Sequence, residues 1–187
     1  MKNILLETIK CHDGKVFHLP YHQNRVNISR QKLGFSSLLE LSISPPKKGL
    51  FRCRITYGEE IKSIDFIPYI PKEVNSFKLV FSELSYDLKY EERKAINELM
   101  SEEADEIIII KNELVTDCSI ANLCFFNGEE WLTPKTPLLK GTTRARLLDE
   151  KKIKLADIHY TEVQKFEKIA MINAMIDFYI IENAIIL

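Results

Sequence analysis

The amino-acid sequence predicts an α+β protein with a small N-terminal domain and a larger, strand-rich C-terminal domain. Three observations lead to this prediction. Apolar and polar residues alternate with a period of two along 49–70, the second half is a series of short apolar segments broken by turns, and a polar segment separates the halves. A chain of 187 residues can bury a core in two small domains. We predict a first domain at 1–71, a linker at 72–76 and a second domain at 77–187.

Two hairpins and two helices are predicted in the first domain. Asp13-Gly14 favours a tight turn, so the segments on either side of it form the first hairpin. Pro20 suits the first position of a helix, and that helix carries Arg25. The predicted elements are hairpin strands at 3–11 and 15–19, a helix at 20–35, a shorter helix within 33–46 that is ended by the prolines, and a second hairpin at 49–58 and 59–70.

The second domain is predicted to consist mainly of short strands. Residues 105–112 (DEIIIIKN) form a strand that is too apolar to lie at an edge, and Asn127-Gly128 marks a hairpin turn. Thr161 and Gln164 match a capping box, which predicts a short helix. The other predicted elements are a strand at 77–84, a charged helix at 88–104, short strands at ELVTD, NLCFFN and EEWLT, a helix at 142–150, a strand at 153–160 and closing strands over 168–187.

Composition excludes several classes of function. The net charge is −1, from 26 basic and 27 acidic residues, so there is no basic footprint for nucleic acid or an anionic membrane. The apolar runs are too short to span a bilayer, and the start, MKNILLETIK, lacks the apolar stretch of a secretory signal. The four cysteines are scattered without a CxxC pair, which is typical of buried reduced thiols. We predict a globular cytoplasmic protein without a metal site.

The segment 115–148 holds the first candidate site residues. Asp117 ends a short apolar strand, and Asn122 follows it as a polar residue in an apolar setting. Gly141-Thr142-Thr143-Arg144 opens an amphipathic helix, where first-turn N–H groups and the helix dipole suit an anion. The same Gly-Thr pattern is also an ordinary helix cap, and Asp117 is also compatible with an ordinary turn.

Three further positions are candidates. Lys89 follows a predicted strand and a polar loop, so its amine is either an ordinary solvated charge or a partly desolvated nucleophile with a lowered pKa. Arg25 on the first helix is compatible with a surface arginine. Asn173 lies in an apolar run, and a buried amide must find hydrogen-bond partners. Asn173 is therefore either part of a structural network or a ligand contact.

Taken in order, Arg25, Lys89, Asp117, GTTR and Asn173 resemble the class IV aminotransferases, the fold-type IV pyridoxal-phosphate enzymes. This family includes branched-chain and D-amino-acid aminotransferases and 4-amino-4-deoxychorismate lyase. The resemblance extends from Glu7 to about Phe178, and the single motifs are loose but specific in combination. The matching patterns are ETIKCHDGKVFHLPYHQNR, the K-x-x-x-R of Lys89 and Arg93, VTDCSIANLCFF, LTP, LLKGTTRARLL and MINAM.

The resemblance implies a two-domain fold-type IV enzyme and a role for each residue. Lys89 would bind pyridoxal 5′-phosphate covalently and then transfer protons, and Arg25 would pair with the phosphate. The backbone N–H groups of Thr142 and Thr143 would hold the same phosphate, and Asn173 would add a phosphate or cofactor-edge contact. Asp117 would lie beside the pyridine nitrogen and keep it protonated, so that the ring can accept electrons.

The sequence departs from the family pattern in three ways. Asp117 stands where the family has glutamate, which shortens the side chain by one methylene, or roughly 1.5 Å. Position 94 is lysine in place of the tyrosine of the branched-chain enzymes. The first strands of the family, ahead of the ETIK-like segment, have no counterpart here. We therefore expect a more open pocket, with altered specificity or without activity.

Within the family, the MINAM segment and the Lys89–Arg93 spacing favour the lyase, which gives 4-aminobenzoate and pyruvate in folate biosynthesis. The alternatives are a branched-chain or D-amino-acid aminotransferase, a non-catalytic relative and an unrelated α+β binding protein. The resemblance implies a homodimer that acts on a small-molecule amine. Arg52 and Arg54 share one face of a strand and, with Arg93, are candidates for binding the substrate. Ordinary solvated arginines remain the alternative for Arg52 and Arg54.

Overall fold

The structure, a computed structural model, describes residues 4–187. They form two compact units, each with its own hydrophobic core. The first unit extends to Pro71 and also contains Leu88–Glu92, whereas the second contains Lys72–Asp87 and Arg93–Leu187. This division differs from the predicted one, because 88–92 belongs to the first unit.

The first unit is a four-stranded antiparallel sheet with one helix on it. The strand order is β2-β1-β3-β4, and both predicted hairpins are present. Asp13 and Gly14 both have positive φ angles, of 48° and 77°, as a tight hairpin turn requires. The elements are β1 (Leu5–His12), β2 (Lys15–Val16), α1 (Leu19–Lys32), β3 (Leu50–Tyr57) and β4 (Ile61–Pro68).

The shorter helix predicted within 33–46 is wrong, because this segment has no regular secondary structure. Gln23 on α1 instead binds the backbone of this segment through two hydrogen bonds. Its side-chain amide donates to the carbonyl of Leu39 at 2.7 Å and accepts from the N–H of Leu41 at 2.8 Å. Leu41 is buried in the first core, so the extended segment covers the sheet and helix.

The charged helix predicted at 88–104 is also wrong, because only α2 (Lys94–Asn97) is helical. Residues 88–92 instead pair with β1. The N–H of Leu6 donates to the carbonyl of Lys89 at 2.8 Å, and the N–H of Glu91 donates to the carbonyl of Ile4 at 2.9 Å. Leu88 is buried in the first core. Strand pairing and burial outweigh the helix propensity of the charged residues.

The segment predicted as a linker, 72–76, is a fixed part of the second unit. Val74 is fully buried in the core of that unit. The Asp105 carboxylate accepts hydrogen bonds from the N–H groups of Asn75 and Ser76, at 2.9 and 3.0 Å. A segment with these contacts is not a solvated connection.

The second unit is built on a nine-stranded sheet with the order β10-β9-β8-β7-β6-β5-β13, in which β11 pairs with β8 and β12 with β11. The predicted apolar strand β6 lies between two neighbours, and its isoleucines are buried, so the prediction that it is not an edge is confirmed. The strands are β5 (Ser76–Phe81), β6 (Glu106–Lys111), β7 (Leu114–Cys118), β8 (Asn122–Phe126), β9 (Trp131–Pro134), β10 (Lys154–Ala156), β11 (Lys168–Asn173), β12 (Asp177–Ile181) and β13 (Ile185–Ile186).

Besides α2, two further helical segments belong to the described part of this unit. The helix predicted at 142–150 is present as α3 (Thr142–Asp149). The second is a 3-10 helix at Tyr160–Lys165, and its capping box is formed by His159 and Glu162 instead of Thr161 and Gln164. Among the described residues, no helix combines the length and apolar character needed to cross a membrane.

Candidate active site

Lys89 lies in the first unit and is positioned by strand pairing. Its carbonyl accepts the β1 bond from Leu6, and the preceding Leu88 is anchored in the core. The Lys89 side chain is partly buried, and its charge contributes to lowering the pKa of His22. The structure therefore brings the Lys89 amine into the electrostatic surroundings of a buried histidine on α1.

Arg25 is bound to a carboxylate that sequence reasoning had not singled out. Glu7 on β1 accepts hydrogen bonds from Arg25 Nε at 2.8 Å and from Arg25 Nη2 at 2.6 Å. His22, one helical turn before Arg25, places Nδ1 at 2.6 Å from the same carboxylate. Glu7 is fully buried and His22 is 1% exposed. The contact between Glu7 and α1 could have been suspected, because Glu7 lies on the same face of β1 as the core residues Leu5 and Ile9.

The charge states of this cluster follow from burial and pairing. Burial alone would raise the pKa of Glu7, but the charge of Arg25 and the hydrogen bonds from His22 and Arg25 lower it to about 2. Burial lowers the pKa of His22, against the opposing effect of Glu7. A carboxylate with three donors from neighbouring groups is stable in its ionised form. We infer an ionised Glu7 with a neutral His22 that donates its Nδ1–H.

Arg52 and Arg54 lie on the face of β3 opposite the first core, as the alternation predicts. Arg54 donates to Glu91 at 2.8 Å, in an ion pair whose side chains are both partly exposed. Arg52 is partly buried, and its Nε has no hydrogen-bond partner among residues 4–187. The interpretation of Arg52 as an ordinary solvated arginine does not account for this buried Nε. Its role in binding the substrate stays a prediction.

Asp117 is the centre of a second group, in the second unit. It lies on β7, and its direct cross-strand partner is Asn122 at the start of β8. Asn122 Nδ2 donates to Asp117 Oδ1 at 2.6 Å, and the N–H of Leu139 donates to Asp117 Oδ2 at 2.8 Å. Burial raises the pKa of the Asp117 carboxyl to about 7, although these hydrogen bonds and the charge of Arg144 lower it. Burial is the larger effect here.

We expect Asp117 to make folding stability fall as the pH rises. Its pKa is raised from an ordinary 3.8 to about 7, so the folded protein holds this proton more tightly than the unfolded chain does. The resulting stabilisation is complete below about pH 4 and is lost as the pH rises through 7, by up to about 4 kcal/mol. Urea unfolding of wild type and Asp117→Asn across this range measures the effect. An identical pH slope for the two proteins would contradict it.

The turn before α3 is packed tightly against this group. A Cβ atom at Gly141 would lie 2.1 Å from Asn122 Oδ1, so only glycine fits here. Thr142 and Thr143 are buried, and α3 begins without a side-chain cap within the described part of the chain. The neighbouring Arg144 donates Nη2 to the carbonyl of Pro134 at 2.8 Å. First-turn N–H groups at such a helix start suit an anion.

Asn173 and Arg93 contact the loop that follows Asp117. Asn173 Nδ2 donates to the carbonyl of Ile120 at 3.2 Å, and Arg93 Nη2 donates to the carbonyl of Ser119 at 2.5 Å. Asn173 Oδ1 also accepts two N–H groups of the turn after β11, at 2.9 and 3.1 Å. Both side chains thus make structural contacts, which is the network alternative for Asn173. Their roles towards cofactor and substrate stay predictions.

The comparison with known families gives the assignment. A family model described as amino-transferase class IV matches residues 72–184, which is more than half of the chain. The chain belongs to this family. As a class IV aminotransferase family member, it is an enzyme of the lyase or aminotransferase kind, and its α+β fold is that of the family.

Three relatives of this class IV protein are informative. An uncharacterised protein of Haemophilus influenzae is 40% identical over 183 residues, covering 91% of this chain and 97% of that protein. A crystal structure from Haemophilus somnus, provisionally named 4-amino-4-deoxychorismate lyase, is 37% identical with a TM-score of 0.84, covering 94% of this chain and 97% of the other. The PLP-bound form of a hypothetical Mycobacterium tuberculosis aminotransferase shares the fold at 13% identity and a TM-score of 0.77, covering 96% and 80%.

Proposed function

We propose that this class IV enzyme is a pyridoxal 5′-phosphate-dependent 4-amino-4-deoxychorismate lyase, which yields 4-aminobenzoate and pyruvate for folate biosynthesis. The name of the Haemophilus somnus relative supports the choice of reaction. The observation that carries the use of the cofactor is the buried Asp117 carboxyl, which two hydrogen bonds hold in place. A protonated pyridine nitrogen is a cation that would stabilise its ionised form.

In each unit, taken by itself, the residues suit one part of this cofactor chemically. The uncapped start of α3 offers N–H groups to a phosphate. Next to them, the buried Nε of Arg144 has no hydrogen-bond partner within residues 4–187. In the first unit, Arg25 presents a guanidinium beside the Glu7 carboxylate that its Nε and Nη2 bind, and the planar set of donors of a guanidinium suits a phosphate. Each unit therefore offers donors that suit a phosphate, and Asp117 in the second unit suits a cationic ring nitrogen.

Each residue then has a defined part in the reaction. The bound cofactor supplies an electron sink for negative charge that develops on the substrate. The Lys89 amine would hold the cofactor and afterwards carry the proton that leaves C4 of the substrate ring. Asp117 would stabilise positive charge on the pyridine nitrogen. Loss of the enolpyruvyl group as pyruvate makes the ring aromatic, so the chain need only position groups and stabilise charge.

We expect purified protein with pyridoxal phosphate to be yellow, and borohydride to fix the cofactor on Lys89, as seen by peptide mass spectrometry. Supplied with 4-amino-4-deoxychorismate, the loaded protein should release 4-aminobenzoate and pyruvate. A colourless protein that takes up no cofactor would overturn the proposal. Amino-group transfer from glutamate or D-alanine to a keto acid, without any 4-aminobenzoate, would identify an aminotransferase instead.

Arg25→Ala should weaken binding of the cofactor, and it should also lower stability, because it removes two of the donors to the buried Glu7 carboxylate. Loss of hydrogen bonds to a charged phosphate predicts a dissociation constant raised about 10- to 100-fold, and excess cofactor should restore part of the activity. Absorbance titrations measure the change, with Lys32→Ala, an exposed cation at the end of the same helix, as the matched control. Unchanged affinity in Arg25→Ala would remove Arg25 from the phosphate site.

A further inference from the structure

Asn122 connects three parts of the second unit. It is 5% exposed, and its Nδ2 donates both to Asp117 Oδ1 at 2.6 Å and to the carbonyl of Leu139 at 2.8 Å. Leu139 in turn donates its N–H to the other oxygen of Asp117. The Asn122 Oδ1 atom lies against Gly141, where a Cβ would approach it to 2.1 Å. Carboxyl, amide and turn therefore form one closed, buried network.

We propose that Asn122 is a positioning residue of the cofactor site, which fixes the Asp117 carboxyl to the turn at the start of α3. The inference rests on the cofactor part of the proposed function and is independent of the reaction catalysed. Asn122 would thereby hold two things in fixed positions relative to each other: Asp117, the proposed partner of the ring nitrogen, and the N–H groups of Thr142 and Thr143, which are proposed to bind the phosphate. Neither can shift without breaking a hydrogen bond of the network.

Asn122 also acts on the charge of Asp117. Its hydrogen bond favours the ionised carboxyl, as does the field of Arg144 on α3. Among the described residues, the Cys118 thiol next to Asp117 on β7 has a pKa that burial raises, and the charges of Asp117 and of Glu106 on β6 also act on this thiol. Replacing the Asn122 amide with a second carboxyl would put two acids within hydrogen-bond distance, and such a pair cannot ionise fully.

The test compares Asn122→Asp with Asn127→Asp. Both change an amide to a carboxyl in the second unit, but Asn127 lies at an exposed hairpin turn, where its Oδ1 only accepts hydrogen bonds. The dissociation constant of pyridoxal phosphate is measured by absorbance from about pH 5 to about pH 9. We expect the pH midpoint of binding to rise by about one unit or more in Asn122→Asp and to stay at the wild-type value in Asn127→Asp.

The outcomes separate this inference from the proposed function. If Asn122→Asp binds the cofactor with the wild-type midpoint, the inference is wrong, even if its affinity is weaker, because a purely structural role would weaken binding without moving the midpoint. Wild-type protein that binds no pyridoxal phosphate overturns the proposed function and this inference with it. If circular dichroism shows that Asn122→Asp does not fold, Asn122→Ser replaces it. The pH midpoint of cofactor binding should also rise in Asn122→Ser, because the hydrogen bond from the Asn122 amide to Asp117 is lost.

Gly141→Ala gives a second, independent test of the contact. The new methyl group would displace the Asn122 amide from Asp117, so affinity for pyridoxal phosphate should fall about tenfold or more. In the Asn122→Ser background the same change should have little further effect, because the opposing oxygen has been withdrawn. Equal losses in both backgrounds would show that Asn122 does not transmit the effect.

Discussion

Replacing Lys89 with alanine is expected to reduce turnover of the substrate by at least about 10⁴-fold, the combined loss of covalent attachment and proton transfer. The variant should also lose the borohydride-fixed cofactor while keeping its fold, because Lys89 contributes its backbone, not its side chain, to the pairing with β1. Steady-state assays at saturating pyridoxal phosphate measure the rate.

The matched control for this change is Lys94→Ala. Lys94 is an exposed lysine at the start of α2 that forms a surface ion pair with Glu98 at 3.7 Å. It should keep the wild-type rate within about twofold, as surface pairs contribute little. A Lys89→Ala protein that retained a tenth or so of the wild-type rate would rule out Lys89 as the catalytic amine.

Replacing Glu7 with alanine is expected to have the largest effect on stability. Arg25 and His22 would lose a shared carboxylate that is fully buried, and removing one partner of a buried ion pair costs roughly 3–5 kcal/mol. Urea unfolding at neutral pH measures the loss. Glu91→Ala is the control, since its pair with the partly exposed Arg54 should contribute about 1 kcal/mol or less.

The Glu7 contribution should also depend on pH in a defined direction. Its pKa is lowered from an ordinary 4.5 to about 2, so the stabilisation is complete above about pH 4.5 and is lost as the pH falls towards 2. The difference in unfolding free energy between wild type and Glu7→Ala should therefore shrink in acid. A difference that stays constant down to about pH 2 would show that the cost comes from lost packing alone.

The strands of both units could be predicted because their patterns are local. Asp13-Gly14 fixes one hairpin, alternation along 49–70 fixes another, and the isoleucines of β6 are too apolar for any exposed position. The two incorrect helices have a different cause. In both segments, the backbone forms hydrogen bonds with partners that are distant in sequence: Gln23 for 33–46 and strand β1 for 88–92. A local sequence pattern does not indicate such partners.

The candidate site was predictable to a similar extent. Lys89, Arg25 and Asp117 emerge from motif order, but the motifs do not state that Arg25 shares a carboxylate with His22. Nor do they state that Asn122 binds Asp117. Both contacts join residues on different elements, and they are decided by which side chains face inward from neighbouring strands and helices.

The placement of residues 88–92 has a practical consequence for work on isolated fragments. A polypeptide that stops at Pro71 would lack the segment whose backbone satisfies Leu6 and Ile4, and it would lack the apolar side chain of Leu88. The start of β1 would then expose unpaired backbone N–H and C=O groups, with which a strand of another chain could pair. Expression of the N-terminal part should therefore carry a grafted copy of 88–92, and without it we expect aggregation.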